Sequence, residues 1–60
     1  MKITVNYRVK YTLKNPFFET VTNERYFDDK KIMEAFLSDL LKNEDFISCY
    51  TTITKLYKRE

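Results

Sequence analysis

The sequence predicts an α+β domain with the element order β-β-α-β, in which a three-stranded antiparallel sheet of order 2-1-3 carries one helix on one face. Three observations lead there. Apolar and polar residues alternate without a break from Ile3 to Leu13, one stretch of helical periodicity lies between residues 29 and 42, and β-branched and aromatic residues crowd the two remaining runs.

The first strand is the clearest element. Ile3, Val5, Tyr7, Val9, Tyr11 and Leu13 take the odd positions, and Thr4, Asn6, Arg8, Lys10 and Thr12 the even ones. One face should therefore pack while the other meets water. Lys14-Asn15-Pro16 reads as a turn, since Asn tolerates unusual backbone angles and Pro cannot donate to a ladder. Phe17 to Phe27 follows as a second strand, rich in Thr, Val and aromatics.

Two hairpin registers compete. Pairing Leu13 with Phe17 sets Val9 against Val21 and Ile3 against Phe27; pairing Leu13 with Phe18 sets Tyr7 against Glu24 and Val9 against Thr22. A one-residue slip exchanges the faces, so only one of them can build the core. The first matches more apolar partners and is preferred. It points Asn23 and Arg25 inward, which predicts a bulge or a frayed edge.

Asp28-Asp29 precedes the helical run and supplies an N-cap. Across residues 29–42, Ile32, Met33, Phe36, Leu37, Leu40 and Leu41 form one wide apolar stripe. Lys42 suits the C-terminal end, Asn43 is expected to stop the helix in a left-handed conformation, and Glu44-Asp45 forms a short loop. Phe46 to Lys58 reads as the third strand, with Ile47, Cys49 and Ile53 toward the helix; Lys58-Arg59-Glu60 reads as a solvated tail. A helix that returns the chain across the sheet places strand three beside strand one.

Sixty residues form a single domain, 1–60, near the lower size limit for an unaided core. The usual reinforcements are missing: Cys49 is the only cysteine, and there is no histidine to build a zinc site. Association with another protein is the support that remains. The lengths agree, because the stripe from Ile3 to Leu13 spans about 33 Å, whereas a helix of about 14 residues reaches only ~21 Å. Part of the apolar face, expected around Tyr7, Tyr11, Phe17 or Phe27, should lack cover, and a homodimer is the expected remedy.

No catalytic, nucleotide-binding or cofactor motif is present, and the chain reads as a non-enzyme. Cys49 has no histidine to activate it and is expected to be a small core residue. Glu24, Asp28 and Asp29 form the one acidic group with conceivable metal geometry, but capping explains the aspartates better, and no metal is expected. The chain opens without a signal-like leader and has no apolar run of membrane-spanning length, so the expected location is the cytoplasm of a bacterial host, with no membrane partner. Absence of glycine, with abundant Lys, Asn, Ile, Phe and Tyr, points to an AT-rich genome and to a phage or other mobile element.

Two function classes follow. The first is an interaction protein that binds itself and a host or defence protein, inhibiting or modulating it through Tyr7, Tyr11, Phe17, Phe27, Tyr50 and Tyr57. The alternative is a single-stranded nucleic-acid binder that uses Lys2, Arg8, Lys10 and Lys14 with Phe18 and Tyr26 on an open sheet face, joined by Tyr50 from strand three. A net charge of +2 is too small to decide for the second by itself.

Overall fold

The computed structural model describes residues 1–59. Its elements are β1 (Lys2–Lys14), β2 (Thr20–Phe27), α1 (Lys30–Leu41) and β3 (Phe46–Lys58), and the antiparallel sheet has the order β2-β1-β3. The expected α+β architecture is the observed one. Glu60, expected in the tail, lies outside the described residues.

The β1–β2 hairpin departs from the expected register. Leu13 pairs with Val21 rather than Phe17, and Tyr7 rather than Ile3 faces Phe27. The cause is Asn15. Its Oδ1 accepts from the N–H groups of Phe17 and Glu19, each at 2.9 Å, and its own N–H donates to the Glu19 carbonyl at 2.8 Å. These bonds close a longer turn, so β2 starts at Thr20 rather than Phe17. The shift is even, and Val9, Val21 and Phe27 therefore keep the face expected for them. Arg25 does point to the helix side, without a bulge in this pair. Its guanidinium lies 5.1 Å from the Phe36 ring centroid and 5.6 Å from that of Phe27, a cation–π cover over the core.

In the β1–β3 pair the register runs from Lys2↔Lys58 to Thr12↔Ser48, then slips so that Leu13 meets Phe46. The extra residue at the slip is Ile47, which is exposed and does not reach the helix as expected. Cys49 does reach it and packs half-buried on the core. The expected tail begins late, since Lys58 is still paired with Lys2.

Asp29 caps α1 by accepting from the N–H groups of Lys31 at 2.8 Å and Ile32 at 3.4 Å. Asn43 ends the helix differently from expectation. Phe18 is the one non-glycine residue with positive φ among those described, so Asn43 is not left-handed; its Oδ1 accepts from the Asp45 N–H at 2.8 Å instead. The apolar stripe is narrower than expected as well. Met33 and Leu40 are buried and Phe36 and Leu37 half-buried, while Ile32 and Leu41 face outward. Replacing Asp29 with alanine should cost about 1 kcal/mol, read as a lower midpoint in urea with an unchanged slope.

The core is small. Val9 is fully buried between the strands and the helix, with Phe27 and Met33 beside it and Tyr7, Tyr11, Phe36, Leu37 and Cys49 around them. Phe36 is the hub, edge-on to Tyr11 at 5.4 Å and tilted against Phe27 at 5.3 Å. All of this lies at the β2 end of a molecule 51 Å long and only 19 Å wide. No helix among the described residues is long and apolar enough to cross a membrane.

Candidate interaction surfaces

Three surfaces follow from this layout. The first is a bare ribbon. β1 and β3 pair over almost their whole length, but β2 stops opposite Tyr7 and the helix stays with it. Beyond that point Ile3, Val5 and Tyr57 share the helix-side face with Ile53 and have no layer above them. Ile3, Ile53 and Tyr57 are 55%, 57% and 60% exposed. The same overhang leaves one edge of β1 unpaired from Lys2 to Asn6, while β3 is an open edge throughout.

An uncovered apolar face is expected around Tyr7, Tyr11, Phe17 or Phe27, but the bare stretch lies at Ile3, Val5, Ile53 and Tyr57. Tyr7 and Tyr11 are half-buried against the core, and Phe27, expected on the uncovered face, is itself a core residue. Of the tyrosines expected at an interface, Tyr57 lies on the bare ribbon and Tyr50 on the other side of the sheet. Ile3 and Ile53 were not singled out for an interface. The signal that could have found them is length: two strands of 13 residues each cannot both be roofed by a helix of 12.

The second surface is the hairpin tip. Phe17 and Phe18 are 80% and 78% exposed, held out by the Asn15 turn. Phe18 has φ of 64°, a left-handed conformation that a residue with a Cβ adopts only at a cost of about 1–2 kcal/mol. Its ring carries the Lys14 ammonium 4.4 Å above its centroid. Phe18 thus stands in the turn and not on a strand, as the nucleic-acid reading had placed it. Two exposed aromatic side chains on one strained turn make the tip a candidate contact surface.

The third surface is the open face of the sheet. Lys2, Arg8, Lys10 and Lys14 of β1 lie on it, with Tyr26 opposite Arg8 on one side and Tyr50 opposite Lys10 on the other. Glu24 interrupts them, but its carboxylate is engaged: Lys10 Nζ is 3.7 Å away and the Tyr26 hydroxyl donates to it at 3.1 Å. A shallow hollow of about 320 Å³ lies next to this group, lined by Asn6, Arg8, Tyr26, Thr52 and Thr54. Arg8 Nε is shielded from water there and has no hydrogen-bond partner.

The acidic trio considered for a metal is not gathered into one place. Glu24 faces the open side of β2 and Asp29 caps α1, and no group of three or more His, Cys, Asp or Glu able to hold a metal forms among the described residues. Comparison of the chain with protein-family models, with characterised proteins and with solved structures finds no match.

Proposed function

We propose that the chain is a non-enzymatic interaction protein that works as a homodimer, with a second copy covering the bare ribbon. One observation carries this. The folded chain exposes 5107 Å², whereas a compact monomer of its 7.4 kDa mass should expose about 4200 Å². The excess of roughly 900 Å² matches the ~800 Å² that each partner buries in a stable interface of standard size. Its radius of gyration of 14.4 Å, against about 10 Å for a compact chain of this length, says the same thing in another quantity.

The hairpin tip supplies the contact to a different protein. Phe17 and Phe18 are exposed on a hydrogen-bonded turn remote from the ribbon, so the dimer would offer two such tips to its target. The concrete version is a phage-encoded protein in a bacterial cytoplasm that blocks or redirects a host or defence protein by occupying its surface. The glycine-free composition, rich in Lys, Asn, Ile, Phe and Tyr, supports that setting.

Two measurements together test the proposal. Sedimentation equilibrium at micromolar concentration should return twice the 7.4 kDa chain mass. Affinity capture from candidate host cells should retain a protein that the Phe17→Ser, Phe18→Ser double variant loses while keeping its dimer mass. A single-chain mass would contradict the dimer, and capture indifferent to the tip would contradict the docking role.

A further inference from the structure

We infer that the open sheet face is a binding site for single-stranded nucleic acid, with Arg8 as its central phosphate contact and Tyr26 and Tyr50 as its stacking platforms. This goes beyond the dimer, which uses the opposite face of the ribbon, so the two can fail separately.

Charge segregation is the first support. Among the described residues, the open face of the sheet gathers Lys2, Arg8, Lys10, Lys14 and Lys58 against the one carboxylate of Glu24. The helix and its flanking loops, residues 28–45, hold six acids and three lysines, and even with Arg25 and Lys55 the helix side carries more acid than base. The small net charge therefore conceals an uneven distribution, with the excess of base gathered on the open face and the helix side close to neutral. A polyanion is the partner that complements the basic side.

The second support is how the face is furnished. Glu24 bonds to both Lys10 and the Tyr26 hydroxyl, which holds the Tyr26 ring in place and leaves Arg8 without a carboxylate partner. Arg8 opens into the hollow beside the hydroxyls of Thr52 and Thr54 and the amide of Asn6, a neutral hydrogen-bonding surround suited to a phosphate group. Tyr26 and Tyr50 are both exposed and lie on the two outer strands, two residues out of step, which separates them by on the order of 12 Å. That spacing suits two bases of one extended strand with the Arg8–Lys10 row between them, and it suits a stiff duplex poorly, since paired bases present no free ring faces.

Fluorescence anisotropy with labelled oligo-dT and oligo-rU of about 12 nucleotides tests the site, with a duplex of equal length and polyglutamate as competitors. Both single strands should bind, and neutralising about three phosphates predicts a loss of roughly 20-fold in affinity between about 50 and 200 mM salt. Arg8→Gln should weaken binding and flatten the salt slope by about 0.7. Tyr26→Ala and Tyr50→Ala should each weaken it about tenfold with little change in that slope. Both tyrosines are exposed, so these variants also serve if Arg8→Gln perturbs the fold. A preference of oligo-rU over oligo-dT would assign the site to RNA, and the reverse to DNA. No binding at about 50 mM salt would overturn the proposal. Equal displacement by polyglutamate would overturn it too, showing a face made for acidic protein.

Discussion

Phe27→Ala is expected to leave the chain unfolded at room temperature. Truncating a buried phenylalanine costs about 3–5 kcal/mol. A chain of this length has a total stability on the order of 3–9 kcal/mol, and a core this small places it at the low end. Phe27 is one of four buried apolar residues among those described, and its loss acts in three places. It removes a ring partner of Phe36, takes away part of the surface under the Arg25 guanidinium, and loosens the last pair of β2 against Tyr7. Circular dichroism should show loss of the cooperative thermal transition. Phe27→Leu, which keeps most of the volume, should retain a transition at lower temperature; an alanine variant that melts like the parent would remove Phe27 from the core.

Ile53→Asp is expected to have an effect of comparable size for a different reason. In the single chain Ile53 is more than half exposed, and a substitution at such a site shifts stability by no more than about 0.5 kcal/mol. If a second copy covers the ribbon, the same change buries an unpaired carboxylate and costs several kcal/mol. Sedimentation should then find the single-chain mass, with much of the chain unfolded at low concentration. Thr54→Asp, one residue along and on the other face, should keep the dimer mass. Equal behaviour of the two variants would show that no partner covers the helix side.

The sheet order, the helix and its Asp29 cap were legible because each follows from periodicity or from one side chain at a known position. The hairpin register was not, because it turned on which N–H groups Asn15 would hold, a choice between turns of nearly equal propensity. Arg25 was rightly expected to point inward. Only the placement of two rings beneath it explains how a cation is tolerated there without a bulge. The presence of a bare apolar face could be inferred from lengths, yet its location depended on the register, and the same error moved Phe27 from core to interface. The basic face was read directly from the even positions of β1, because parity survives an even shift. Its hollow, formed by three strands together, has no signature along the chain.

The most direct measurement is the melting temperature as a function of protein concentration. A chain that completes its fold only against a second copy gains about 2.7 kcal/mol per dimer over a 100-fold rise in concentration, which corresponds to roughly ten degrees for a dimer of this size. The midpoint should climb by that amount between micromolar and sub-millimolar protein. A midpoint that stays fixed across the series, with a single-chain mass at both ends, would mean that the long ribbon stands on its own.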